Sequence, residues 1–299
     1  MKAFYTNHFV LPLPLGHRFP MEKYSRLHSL VSVLPEVELV EAPSASDTQI
    51  LYAHDPAYVI KILKGNLSPK EQREIGFPWS EKMVERSRRS SGATIAAAKT
   101  ALTEGIAANL AGGTHHAYRD QGSGFCVFND SAIAARALQK EINPKLQIAV
   151  IDLDVHQGNG TASILKNDSS IFTLSIHGKN NFPFTKEQSD LDIDLADGCN
   201  DQNYLNVLEE SLDTLDKRFS ADFIIYLAGA DPHEDDRLGR LKLSKDGIQK
   251  RDEMVFQYAI EHQMPLAFSM AGGYGKNIES TVEIHFQTIK SALKFQIQY

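Results

Sequence analysis

Apolar residues fall into two patterns along this chain. The first is the short unbroken run, as in Ile148-Ala149-Val150-Ile151. Bounded by polar residues, such a run predicts a strand buried on both faces of a parallel sheet. The second is the three-to-four spacing of an amphipathic helix. Strands are predicted at 2–6, 37–40, 106–110, 148–151, 170–176, 222–227 and 265–270. Helices are predicted at 21–34, over Tyr58, Val59, Ile62 and Leu63, at 80–104, between Asp130 and Ile142, shortly after Gly160, and at 203–219, 245–262 and 278–294.

Several local signals refine this pattern. Tyr24, Leu27, Leu30, Val31 and Leu34 share one face of the 21–34 helix. Ser80 is a candidate N-cap for the 80–104 helix and Gly105 its stop. The cations Lys82, Arg86, Arg88 and Arg89 in its first half read as a solvated face. Residues 65–79, punctuated by Pro69, Gly76 and Pro78, read as a polar excursion and not a domain boundary. Strands alternate with helices throughout, with no repeat, low-complexity tract or linker. The expected architecture is therefore a single α/β domain over residues 1–299. It has three layers, α/β/α, around a central, mainly parallel sheet.

The strand ends carry the chemistry. His115 and His116 follow the 106–110 strand and Gly112-Gly113; Asp152, Asp154 and His156 follow 148–151; Asp231 follows 222–227; Tyr274 follows 265–270. Ligands of an open α/β sheet bind beyond the carboxyl ends of its strands, so these residues are expected to meet at one edge. Asp152, Asp154 and His156 point the same way if their strand continues. A lone D-x-H is most often an acidic strand end with a solvated histidine, and Asp231 alone reads equally well as a helix N-cap. Convergence of four such ends favours a metal centre.

Asp154, His156 and Asp231 offer two oxygens and one nitrogen, which leaves a coordination position open for water on Zn2+. So oxygen-rich a set also suits Fe2+, Mn2+ or Co2+. Such an ion lowers the pKa of its water and polarises a carbonyl. Paired histidines suit acid–base work near neutral pH, with Asp152 and Asn159 available to set their tautomers. Tyr274, between glycines, is placed to donate to an oxyanion. Phe125 and Phe182 lie in loops that contain Gly or Pro and are candidate walls of a narrow channel.

Composition excludes some classes. The 299 residues carry a net charge of −7, which argues against a direct nucleic-acid partner. No window approaches the roughly 20 apolar residues of a membrane span. The first residues lack the apolar core of a signal peptide. Two cysteines, Cys126 and Cys199, make no disulfide framework and suggest reduced thiols in a cytoplasm.

The motifs GGTHHA, GFCVFND, DLDVHQGNGT, LSIHG, AGADPHEDDRLG and AGGY, in this order, resemble the histone deacetylase family of the arginase/deacetylase fold. The stretch 228–256 is most similar to its class IV branch. The resemblance implies a zinc-dependent amidohydrolase that removes an acetyl or longer acyl group from the lysine side-chain amine by metal-activated water. It implies metal binding by Asp154, His156 and Asp231, and general base and acid work by His116. His115, backed by Asp152, would act electrostatically, and Tyr274 would polarise the scissile carbonyl. Asn159 would be the partner of His116. Gly124, Phe125, Phe182 and Gly273 would line the substrate channel. A structural K+ would lie near Asp152, the main-chain oxygens of Asp154, His156 and Ile176, and the Ser175 hydroxyl.

This chain departs from the family pattern in three places. Asn159 stands where many members have Asp, so His116 is expected to be less basic. GGTHHA replaces the more frequent PGHHA, and 232–235 differs from class I members. The resemblance implies as substrate an acyl-lysine protein or peptide, or a small acylated amine such as an acetylpolyamine. Rival readings are a dinuclear arginase-like hydrolase and a non-catalytic acyl-lysine binder.

Overall fold

The computed structural model describes residues 1–296. In chain order its elements are β1 (Lys2–Tyr5), a 3-10 turn (Asn7–Phe9), α1 (Glu22–Val31), β2 (Glu38–Glu41), α2 (Asp47–Ile50), α3 (Pro56–Lys64), α4 (Pro69–Ile75) and α5 (Glu81–Glu104). There follow β3 (Ile106–Asn109), α6 (Asp130–Glu141), β4 (Ile148–Asp152), α7 (Asn159–Leu165), β5 (Ile171–Gly178), β6 (Leu191–Leu195) and α8 (Asp201–Arg218). The chain then runs through β7 (Phe223–Leu227), α9 (Lys245–Glu261), β8 (Leu266–Ser269) and α10 (Ile278–Gln296).

The strands of the described residues form one sheet in the order β2-β1-β3-β8-β7-β4-β5-β6. Every pairing between them is parallel. This is the three-layer α/β architecture with a central parallel sheet that the alternation of strands and helices predicts. β3, β4, β7 and β8 are buried at every position, as the short apolar runs require. One helix layer contains α5 and α6, with α5 packed on β1, β3 and β8; α8, α9, α10 and α1 pack successively in the other. The four strands that carry the candidate residues, β3, β8, β7 and β4, are consecutive neighbours at the centre of the sheet. Residues up to 159 positions apart, from His115 to Tyr274, are brought to one edge by this order.

Several local expectations are corrected. The 65–79 excursion contains α4. Ser68 and Glu71 form a reciprocal capping box, Pro69 occupies the first turn, and Gly76 ends the helix at φ 83°. β6 was not expected, although Leu191-Asp-Ile-Asp-Leu195 alternates as a half-covered edge strand does. Leu30 is 39% exposed, off the buried face of α1. β4 ends at Asp152, so Asp154 and His156 stand on an irregular segment and not on a continued strand. Of the four cations in the first half of α5, Lys82 is exposed as expected, but the three arginines are not a solvated face. Arg86 is buried and donates to the Phe9 carbonyl and the Tyr24 hydroxyl, both at 3.1 Å. Arg88 and Arg89 donate to the carbonyls of Ala45 and Ala42, so they tie the β2–α2 connection to the helix.

Candidate active site

After β3 the chain turns through Gly112 and Gly113, at φ 78° and 72°, and presents the two histidines. A Cβ on Gly113 would overlap Ala271, so the turn needs glycine on steric as well as conformational grounds. The turn is braced by the start of α6. The Asp130 carboxylate accepts from Gly113 N at 2.9 Å and Thr114 N at 2.7 Å. Asn129 Nδ2 donates to the carbonyls of His115 and Ala117 at 3.3 and 3.1 Å. Asn129 also caps α6. GFCVFND therefore supplies the brace of the histidine loop, a role that its sequence alone did not assign.

His115 and His116 are buried and face different partners. His115 Nδ1 lies 2.7 Å from Asp152 Oδ2. Burial pulls this imidazole down, but the Asp152 and Asp154 carboxylates outweigh it and raise it to about 9. His116 Nδ1 lies 2.6 Å from Asn159 Oδ1. Burial, then the positive fields of His115 and His156, hold His116 well below the usual value. One imidazole is thus kept charged and its neighbour neutral.

Asp154, His156 and Asp231 converge, each offering an atom within 4.8 Å of the others. His156 Nδ1 is 2.9 Å from Asp154 Oδ1 and 3.3 Å from Asp231 Oδ2. The remaining carboxylate oxygens are oriented by the backbone. Asp154 Oδ2 accepts from Gly272 N at 2.7 Å, and Asp231 Oδ1 from Val155 N at 2.9 Å. Asp231 Oδ2 is buried without a hydrogen-bond partner. Burial and the neighbouring Asp154 push Asp231 up to about 7. Two carboxylates so close and so buried call for a positive charge between them. A Cβ on Gly272 would overlap Asp231 Oδ2 and close the space. The trio therefore fits a divalent cation.

Tyr274 stands over this cluster. Its backbone N donates to Asp236 Oδ2 at 2.6 Å and its carbonyl accepts from Arg237 Nε at 2.9 Å. Its ring packs edge-on against His156 at 6.3 Å between centroids. Burial, then Asp154 and Asp231, push the phenol well up, so it remains a donor. A cavity of about 540 Å³ leads from solvent to His116, His156 and Tyr274, with Gly124, Phe125 and Phe182 in its wall. The Phe182 ring meets His116 edge-on at 4.8 Å. Gly273 does not line this cavity; its α-carbon faces Thr281, Ala230 and His285. A smaller cavity of about 30 Å³ lies beyond the cluster, against Tyr24, Arg86 and Cys126. Ser175 and Ile176 are buried on β5, and Ser175 is the register partner of Asp152.

The profile of the histone deacetylase domain matches residues 17–289. The chain belongs to the histone deacetylase family. This deacetylase is 42% identical to an uncharacterised protein of Picosynechococcus over 94% of both chains. It is 33% identical to histone deacetylase 2 of Arabidopsis thaliana, over 87% of this chain and 70% of that one. The fold matches the crystal structure of a histone deacetylase homologue from Aquifex aeolicus with a TM-score of 0.82. That match is 23% identical and covers 97% of this chain and 83% of the other. Membership makes the chain a hydrolase that acts on acetyl-lysine or a similar amide, in a family that is metal-dependent. No helix among the described residues is long and apolar enough to cross a membrane.

Proposed function

We propose that residues 1–299 form one zinc-dependent catalytic domain that removes a short acyl group from a lysine side-chain amine. Zinc would be held by Asp154, His156 and Asp231, where it would acidify a water and polarise the acyl carbonyl. The observation that carries this reading is the meeting of that trio with His116 and Tyr274 at the base of one cavity.

The roles follow from the partners. Asn159 Nδ2 donates to the Tyr118 hydroxyl at 2.8 Å, which turns its Oδ1 towards His116. His116 Nδ1 then carries the proton and Nε2 keeps a free lone pair. His116 takes a proton from the attacking water at Nε2 and returns one to the departing amine. His115, held charged by Asp152, stabilises negative charge in the adduct. Tyr274 donates a hydrogen bond from its hydroxyl to the developing oxyanion, a contact worth about 3 kcal/mol in comparable sites. Gly124, Phe125 and Phe182 flank the lysine stem. Asp152 and Ser175, neighbours in register, are our candidates for the K+ site, with the main-chain oxygens of Asp154, His156 and Ile176. The stretch 228–256 supports the class IV branch.

The cavity beyond the cluster, about 30 Å³, has room for a methyl group or a water or two and not for an extended chain. Acetyl is therefore the preferred acyl group. The test is hydrolysis of one lysine peptide that carries acetyl, octanoyl or myristoyl, with Tyr274→Phe as control. The expected order is acetyl first, with kcat at least 100-fold lower in the control. Near-normal turnover by Tyr274→Phe contradicts its role, and faster myristoyl release contradicts the acyl preference.

A further inference from the structure

The outer wall of the 540 Å³ cavity carries Arg18, Arg73 and Arg240. They come from three separate segments: the connection before α1, the last turn of α4, and the connection between β7 and α9. All three are exposed. Glu74 is the one carboxylate in that wall, and it lies 3.8 Å from Lys70. Arg240 pairs with Asp197 at 3.2 Å, with both side chains largely in solvent. Such a pair is weak and easily exchanged. Among the described residues, no carboxylate lies within ion-pair distance of Arg18 or Arg73. Arg237 adds a further cation beside them, since its Nη2 donates to the Arg18 carbonyl at 3.4 Å.

This local sign opposes that of the chain, whose net charge is −7. A cleft with charge of one sign over apolar walls focuses its potential on the incoming molecule. Guanidinium groups match carboxylates in geometry as well as in charge. A cationic amide such as an acetylpolyamine meets repulsion here. We infer that the preferred substrate carries a carboxylate close to its acylated amine, held at the cavity mouth by Arg18, Arg73 and Arg240. Two sources present that chemistry: an acidic residue beside acyl-lysine in a peptide, or the α-carboxylate of free Nε-acetyl-lysine. This inference rests on the deacylase reading above.

The test compares acetyl-lysine peptides flanked by Glu, Gln or Lys, free Nε-acetyl-lysine against its α-carboxamide, and N1-acetylspermidine. Both kcat/KM and calorimetric binding to the zinc-loaded protein are measured. The Glu-flanked peptide is expected to exceed the Lys-flanked one by about tenfold, mainly in KM, with the difference shrinking in 0.5 M salt. Arg18→Gln, Arg73→Gln and Arg240→Gln are each expected to narrow it, with kcat and the melting temperature little changed. A free-acid preference over the carboxamide assigns the α-carboxylate; preference confined to peptides assigns the flanking residue. Equal or better use of the Lys-flanked peptide or of acetylspermidine overturns the inference. Charge-selective binding without turnover of any compound supports the mouth and contradicts the deacylase reading; binding blind to charge overturns the mouth whatever the turnover.

Discussion

His116 shares its Nδ1 proton with Asn159 Oδ1 over 2.6 Å, so an uncharged amide sets the tautomer of that imidazole. His115, one residue earlier, has a carboxylate in the same place. The pair is differentiated by its partners and not by burial, which is complete for both.

Asn159→Asp would turn this relationship into a second charged dyad. A carboxylate favours the imidazolium and raises the His116 pKa. A base must be unprotonated to act, so the acid limb of the kcat/KM profile is expected to move to higher pH, by about one unit or more. An unmoved acid limb contradicts the assignment of His116 as base.

Arg251 ties together the two segments that carry the metal ligands. It is fully buried on α9 and its Nη1 donates to the carbonyls of Leu153 at 3.2 Å and Gly229 at 2.6 Å. Leu153 lies between Asp152 and Asp154, and Gly229 lies two residues before Asp231. The guanidinium is matched by buried Asp252, which also accepts from Tyr226 and Thr288. Arg251→Met leaves Asp252 as an uncompensated buried charge, a loss of about 3 kcal/mol in urea unfolding. Zinc affinity is expected to fall at least tenfold in the same variant. Unchanged zinc affinity contradicts the tie.

His54 gives the fold an acid sensitivity of known sign. It is buried, accepts from Asn129 N at Nε2 over 2.9 Å, and burial lowers it from 6.5 to about 4. The unfolded chain then binds more protons between these values. The contribution is complete above pH 6.5 and is lost as pH falls towards 4, to a total of roughly 3 kcal/mol. His54→Gln keeps an acceptor there and is expected to flatten the fall in unfolding free energy across that window. An identical fall in the variant contradicts this.

Cys126 lies beside the reacting groups but has no chemical task. Its thiol is buried, donates to the Gly124 carbonyl at 3.4 Å, and is pushed well up by burial, so it is not a thiolate. Cys126→Ser is expected to retain kcat/KM within about fivefold, because water is the nucleophile. Complete loss in a folded variant contradicts direct attack by water.

The sequence showed the strand ends clearly because each chemical residue follows an apolar run closely. The parallel order of β3, β8, β7 and β4 then brings those ends together. It was less clear where polar residues serve packing. The arginines of α5 have the spacing of a solvated face, yet Arg86 turns inwards to carbonyl and hydroxyl acceptors that lie far away in sequence. Asp130 and Arg251 are similar cases, since each also reaches backbone atoms far away in sequence, which no side-chain motif reveals. α4 and β6 did carry local signals, a capping box and a strict alternation, in segments too short and polar to stand out. Gly273 shows the opposite error. It belongs to the AGGY motif, but its place is behind Tyr274 and not in the channel wall.

The most direct measurement is a zinc titration of the metal-stripped protein, with hydrolysis of an acetyl-lysine peptide as readout. Activity is expected to rise linearly to one equivalent of zinc per chain and to be at least 100-fold lower in Asp231→Asn. Full activity without metal, or a break at two equivalents as a dinuclear site requires, would contradict the account.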